Sequence, residues 1–324
     1  MELRFLMRWT LVTLLAFLVS IMLAPAPTMS ARRDVIIGSF SWSGSNAIEQ
    51  VMKYVLEKKL NVPVEIFSIS TFDCWIALDN GSVDVCPDIW MPNQEPGFET
   101  YVRKRKTVAV KLSYDKAPQG FYMSAEIARA QGIKSIFDLK GNEKIFDTNG
   151  DGRGEIWVGP YGWDASEVNH SKIREYGLDL EPVKIDQRPF LAILKKAMRK
   201  GAPMVFYYWE PEWPVTKYDL VRLDEPPYDE SRWIRVKGDI ESSHISCSYP
   251  DASIYVGVSK KLDKRLPKAY KFFMNWYIPM DEVSFLIAEI ENVPGNPKKD
   301  AGEVAKAWVE SHPRIVKDWL DGIL

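Results

Sequence analysis

From residue 35 onward the chain alternates between short apolar runs and longer stretches of helical periodicity, and that alternation restricts the fold more than any other feature. Val35–Gly38 is a short apolar run, and Ser45–Leu60 follows with Ile48, Val51, Met52, Val55, Leu56 and Leu60 at helical spacing. Ser45 or Asn46 is placed to cap that helix. Val64–Phe67 reads as a strand, Asp73–Asn80 as a helix and Val83–Cys86 as a third strand. A βαβαβ order demands a parallel sheet with helices on its faces. Val108–Leu112 and Gly120–Ser124 add two strands. A second series then begins: Ser135–Leu139 (short helix), Ile156–Gly159 (strand), Glu167–Tyr176 (helix), Val183–Ile185 (strand), Gln187–Lys200 (amphipathic helix), Met204–Tyr208 and Leu220–Leu223 (strands). Ser253–Val258 reads as a strand that rejoins the first unit, and from Leu266 the chain is helical, with breaks at Pro279, Pro294 and Pro313. The expected organisation is a two-lobed α/β protein with a cleft between two doubly wound domains. One lobe comprises residues 32–119 and 253–324, and the other residues 120–252. A total of 324 residues suits two such units, at about 100–200 residues per domain. In sheets of this type a ligand sits at the carboxyl ends of the strands.

Residues 1–31 read as a secretory signal and not as fold. Arg4 and Arg8 precede an apolar run from Trp9 to Leu23, and the small-residue stretch APAPTMSA follows. The run is shorter than the ~20 residues of a membrane span, and no cysteine follows it to carry a lipid. Export to the periplasm is the expectation, and it places Cys74, Cys86 and Cys247 in an oxidising compartment. Cys74 opens a helix and Cys86 ends the next strand, so a Cys74–Cys86 disulfide is sterically possible; buried free thiols are the alternative. The formal net charge of -2 gives no basic face for nucleic acid.

Twelve tryptophans are unusual for this length. Trp276, Trp308 and Trp319 lie on the C-terminal helices and read as core. Trp90, Trp163 and Trp209 stand at the ends of apolar runs beside Pro92, Gly162 and Pro211, where turn residues point side chains toward a cleft. Several aromatic faces around one point favour a cation, and three faces contribute roughly 2–6 kcal/mol toward a quaternary ammonium ion. A micromolar ligand needs about 8 kcal/mol, so polar contacts to its other end must add the rest. Trp42, after the first strand, is a candidate fourth wall, with Tyr208 and Trp213 nearby in sequence.

On these residues the chain resembles the periplasmic glycine betaine-binding proteins of ABC importers. The matching stretches are Trp90–Pro92, IFDTNGDGRGE at Ile145–Glu155, Tyr161–Trp163, Asn169–His170 and VFYYWEPEW at Val205–Trp213. The resemblance implies a type II periplasmic binding fold and a tryptophan box at Trp90, Trp163 and Trp209. It also implies delivery of a methylated ammonium ligand to a permease and, through it, an ATPase subunit. The chain departs from that pattern at the polar end of the site. Gln94 stands where betaine-gripping relatives have a histidine, and Asp164-Ala165 stands where they have Gly-Cys. Glu167 follows within one helical turn of Trp163. Carboxylates there would repel a ligand carboxylate and suit choline or trimethylamine N-oxide better than glycine betaine.

The segment DTNGDG places Asp147, Asn149 and Asp151 at alternating positions, with Gly152 at the sharp turn, the Arg153 carbonyl next and Glu155 beyond. This is the first half of a calcium loop without its twelfth-position glutamate. A structural Ca²⁺ is the expectation, since three carboxylates in one loop repel each other without a cation. Three histidines and the lack of a nucleophile elbow, P-loop or dinucleotide motif argue against an enzyme. A secreted carbohydrate-binding module is the distant alternative, because aromatic platforms also stack on sugars. A monomer is expected.

Overall fold

The computed structural model describes residues 34–236, 238–291 and 298–324; the proposed signal segment and Pro294 lie outside them. The first half begins with β1 (Val35–Ser39), α1 (Ser43–Lys59), β2 (Val64–Ser68), α2 (Thr71–Asn80) and β3 (Val85–Met91). A π-helical turn, Phe98–Lys104, leads to β4 (Val108–Ala117). The chain then enters a second sheet through β5 (Gln119–Ser124), α3 (Ala125–Gln131) and β6 (Gly154–Trp157). That half continues through α4 (Asp164–Glu175), β7 (Leu180–Val183), α5 (Gln187–Lys200), β8 (Val205–Trp209), α6 (Trp213–Lys217) and β9 (Leu220–Arg222). A small hairpin, β10 (Trp233–Ile234) and β11 (His244–Ile245), follows. The strand β12 (Ala252–Ser259) returns to the first sheet, and helices α7 to α11 (Lys261–Arg265, Pro267–Asn275, Met280–Ile290, Ala301–Ser311, Pro313–Trp319) complete that half.

The strand orders are β2-β1-β3-β12-β4 and β7-β6-β8-β5-β9. Within each sheet the three strands of the βαβαβ unit are parallel. The crossing strands are not: β12 runs antiparallel to β3 and β4, and β5 runs antiparallel to β8 and β9. The sheets are therefore mixed, because a strand arriving from the other lobe enters from the opposite end. In both, the order reverses beside the first strand of the unit, which opens a crevice between β1 and β3 and another between β6 and β8.

Several segment boundaries differ from the sequence reading: β7 is Leu180–Val183 where Val183–Ile185 was expected, β4 runs on from Leu112 to Ala117, and α4 starts at Asp164 where Glu167 was expected. The third strand runs to Met91 and carries Cys86 near its start and Trp90 near its end. Pro87 is accommodated because the pairing with β12 shifts register between Tyr255 and Gly257, opposite the stretch from Cys86 to Ile89; a bulge tolerates a residue that cannot donate to the ladder. The helix α1 starts at Ser43, and neither Ser45 nor Asn46 caps it. Ser45 Oγ instead accepts from the Phe40 N–H at 3.1 Å, and the Asn46 amide donates to the Phe40 and Trp42 carbonyls at 3.1 and 2.8 Å. These bonds fasten the turn that presents Trp42. Cys74 and Cys86 form a disulfide that ties α2 to β3, while Cys247 is a buried free thiol. Trp276, Trp308 and Trp319 are buried core, with Trp276 stacked on Trp319 at 4.2 Å. Each indole N–H has an acceptor: Ser113 Oγ, Glu282 Oε2 and the Tyr277 carbonyl, as a buried Trp requires. No helix among the described residues is long and apolar enough to cross a membrane.

Candidate functional site

The two crevices face each other, and each contributes two tryptophans. Trp42 follows the carboxyl end of β1 and Trp90 lies at that of β3. In the second sheet Trp163 follows β6 and Trp209 ends β8. These are equivalent places in two sheets of the same strand order. Trp163 reaches its place through the turn GPYG, in which Gly159 and Gly162 take φ of 114° and 83°. A β-carbon on Gly159 would also stand 2.6 Å from Ser166 Oγ, so that turn requires glycine.

The rings stand edge to face. Centroid separations are 6.2 Å for Trp90–Trp209, 5.4 Å for Trp163–Trp209 and 5.5 Å for Trp42–Trp163, with interplanar angles of 72°, 63° and 85°. Steep mutual angles turn four faces toward a common space instead of stacking them on one another. They line a cavity of about 390 Å³ including its mouth, completed by Thr71, Asn93, Gln94, Asp164, Ala165 and Tyr207.

Of the residues singled out from sequence, Trp42, Trp90, Trp163, Trp209, Gln94 and Asp164 are brought together at this cavity. Gln94 is buried, and its Oε1 accepts from Trp75 Nε1 at 3.1 Å. Three do not line it. Tyr208 points to the opposite face of β8, packed against Phe190, Trp157 and the back of Trp209; strand alternation gives the cavity to Tyr207. Trp213 lies on α6 between Lys195 and Lys217, whose ammonium groups stand 4.9 and 5.6 Å from its ring. Glu167 turns outward, 3.8 Å from Arg235 Nη2. Asp164 also pairs with Arg235, and Arg235 Nη1 donates to the Asn93 carbonyl of the other lobe at 3.2 Å. The sequence reading therefore overstated the bare negative charge beside the box, because it could not place Arg235 there. Asp164 is the one charged side chain in the lining among the described residues.

Two buried carboxylates behind the walls were also missed. Asp88, fully buried, accepts from the indole N–H groups of both Trp42 and Trp90 and from the Tyr114 hydroxyl. Its position two residues before Trp90 on one strand was the available signal, since residues i and i+2 share a face. Glu212, from the second lobe, accepts from the first N–H groups of α1, Ser43 and Gly44, at 2.7 and 3.3 Å. That helix has no cap of its own side chains, so a carboxylate from across the cleft satisfies donors its own sequence leaves open. Burial pushes the Glu212 carboxyl up to about 8 and that of neighbouring Glu49 to about 7, each raised further by Asp88.

In the acidic loop, Asp147 accepts from the Gly150 and Gly152 N–H groups at 2.6 and 2.8 Å, and backbone donation led by Gly152 lowers its pKa. Asp151 Oδ1 accepts from the Arg153 N–H at 2.9 Å. The Asn149 amide donates to Asp151 at 3.0 Å and to Glu155 at 2.5 Å. Among the described residues no three His, Cys, Asp or Glu side chains converge closely enough to hold a metal ion. The side-chain oxygens of Asp147, Asn149, Asp151 and Glu155 are hard donors of the kind Ca²⁺ takes, while in this structure the Asn149 N–H₂ bridges the Asp151 and Glu155 carboxylates.

Comparison with known proteins agrees with this geometry. Residues 33–311 match the family model for the substrate-binding domain of ABC-type glycine betaine transport systems. The chain is 29% identical over 159 residues to the glycine betaine/carnitine transport binding protein GbuC of Listeria monocytogenes; the match spans 48% of this chain and 45% of that protein. It is 21% identical to the glycine betaine/proline betaine-binding periplasmic protein of Escherichia coli, over 77% of this chain and 78% of that one. Among solved structures it resembles an ABC-transporter choline-binding protein in complex with choline (TM-score 0.72, 21% identity, 90% and 93% of the two chains). It also resembles lactococcal OpuAC closed on glycine betaine (TM-score 0.69, 21% identity, 89% and 100%). These likenesses establish the two-lobed α/β binding fold. The chain belongs to the family of substrate-binding domains of ABC-type glycine betaine transport systems.

Proposed function

We propose that this chain captures a small methylated ammonium compound between its lobes and hands it, in the closed form, to the permease of an ABC importer. The single observation that carries the reading is the cage of four indoles at the facing strand ends. Four faces over a trimethylammonium group contribute roughly 2–8 kcal/mol, which reaches the ~8 kcal/mol of a micromolar ligand only at its upper end, so contacts to the polar end add the rest. No reacting group is needed. The ligand's methyl groups displace water from the aromatic faces, and the polar end meets Asn93, Gln94, Thr71 and Asp164. Contacts between lobes then hold the closed state, Glu212 on α1 and Arg235 on the Asn93 carbonyl among them. Export to the periplasm, action as a monomer and an ATPase behind the permease complete the reading; the named relatives include periplasmic proteins.

The lining offers no basic side chain among the described residues, and its one carboxylate, Asp164, even paired with Arg235, can accept a hydrogen bond but not donate one. That favours a ligand whose far end donates a hydrogen bond, as choline does, over one that ends in a carboxylate. Isothermal titration against choline, glycine betaine, trimethylamine N-oxide and simple sugars tests both levels. Choline is expected to bind about tenfold or more tightly than glycine betaine, a gap of ~1.4 kcal/mol. Tighter betaine binding would refute the polar-end assignment, and sugar binding without methylamine binding would refute the box.

The loop from Asp147 to Glu155 supports a structural calcium ion held by Asp147, Asn149, Asp151, the Arg153 carbonyl and Glu155. The ion would neutralise the loop that leads into β6 and so steady the strand preceding Trp163. Calcium at 100 times its dissociation constant adds ~2.7 kcal/mol. Adding it after chelation is expected to raise the melting temperature by about 5 °C or more. An unchanged melting temperature, with no calcium found in the purified protein, would remove the ion from this account.

A further inference from the structure

Two of the four cage walls come from separate segments of the first lobe, yet they share one acceptor. Trp42 sits in the turn after β1, Trp90 lies on β3, and both indole N–H groups converge on Asp88 Oδ2, the Trp90 bond at 3.2 Å. The other oxygen of that carboxylate accepts from the Tyr114 hydroxyl of β4 at 3.0 Å. Asp88 itself is sealed from solvent. All of its donors belong to the first lobe, so nothing in this cluster waits for closure.

We infer that Asp88 is the positioning residue of the cage: it locks Trp42 and Trp90 in place before the ligand arrives and strengthens their attraction for a cation. The inference rests on the reading that the cage holds a methylated ammonium group. Its physical basis has two parts. An indole free at its N–H rotates about its side-chain torsions, whereas one whose N–H is bonded to a buried carboxylate has a single orientation. A half-box fixed in advance lowers the ordering cost of binding. Donation to a carboxylate also shifts electron density into the ring, and a cation is held by the negative potential of the ring face. Bonds to ionised acceptors in a dry interior are the strong ones. Burial raises the Asp88 carboxyl above its ordinary range, and the three donors oppose that rise; a cation seated on the far side of the two rings opposes it further.

The distinguishing experiment compares a cation with its neutral twin. Choline and 3,3-dimethylbutan-1-ol have the same shape and differ in the charge of the head group. Their affinities are measured for the wild-type protein and for Asp88→Asn, which keeps the size and one acceptor oxygen but removes the carboxylate. The preference for choline is expected to fall on the order of tenfold in the variant, with the neutral alcohol little changed. Equal losses for both ligands would mean that Asp88 only holds the fold together, and an unchanged preference would mean that it does nothing for the cage; either overturns the inference. If Asp88→Asn does not fold, Tyr114→Phe removes one of the three donors without altering an indole. It is expected to move the preference as well, by about threefold; an unmoved preference would again overturn the inference. If the wild-type protein binds neither choline nor another methylammonium ion, the cage reading itself fails, and this inference with it.

Discussion

Trp209→Ala is expected to weaken binding of the preferred methylammonium ligand about thirtyfold. Trp209 is the central wall: it stands 5.4 Å from Trp163 of its own lobe and 6.2 Å from Trp90 of the other. Its loss removes one aromatic face, roughly 0.5–2 kcal/mol. It also opens the cage to water where the two lobes meet, which brings the total to that of a buried tryptophan anchor, about 2 kcal/mol, or about thirtyfold. Trp209→Phe keeps a face in place and should lose only a few-fold. The back of Trp209 packs on Tyr208 at 4.6 Å, so some stability is lost with it. Circular dichroism at the titration temperature therefore has to accompany the isotherm. A folded Trp209→Ala protein that binds within threefold of wild type would show that the methyl groups lie elsewhere.

The prominence of Trp209, Trp163 and Trp90 was legible because each lies where an apolar run meets a turn residue. The expectation erred where the decisive property was tertiary. At Tyr207 and Tyr208 a strict period of two assigns one residue to the cavity and the other to the core, but two adjacent tyrosines look alike until the strand's facing is known. Pro87 resembled the end of a strand, whereas a bulge against β12 lets β3 continue to Met91. Arg235 lies in an irregular stretch after β10, 71 residues from the Asp164 it neutralises, and no local pattern announces it. The repeated strand order is the clearest case. The orders β2-β1-β3-β12-β4 and β7-β6-β8-β5-β9 are the same path traced twice, yet no repeat is visible along the chain. The repeat is one of topology, and many sequences satisfy one topology as long as their hydrophobic periods agree.

Lys172→Met is expected to cost about 3–5 kcal/mol of folding stability, the largest effect of any single substitution considered. Lys172 lies on α4, whose first residue is Asp164 of the cavity lining, and its side chain is wholly buried. Its ammonium group stands 2.5 Å from Glu225, which is itself buried and accepts from the Tyr176 hydroxyl at 2.8 Å. The rings of Tyr249 and Phe121 flank the ammonium at 4.5 and 5.1 Å. Burial lowers the pKa of Lys172 and the Glu225 carboxylate raises it again, so the pair survives in the interior only because each charge answers the other. Methionine fills the space of the lysine stem but leaves the buried Glu225 carboxylate with the Tyr176 hydroxyl and without its ammonium partner. The double variant Lys172→Met/Glu225→Gln removes both charges and is expected to recover most of the loss, since an uncompensated charge costs more than the pair contributes. Urea denaturation of the three proteins measures this. A Lys172→Met loss below about 1 kcal/mol would place the pair among solvated ion pairs and contradict its burial. Saturating ligand should restore part of the lost stability, by RT ln(1 + [L]/Kd), as for any variant that still binds. A weaker choline affinity in folded Lys172→Met than in the wild type would tie the buried pair to the binding site through α4.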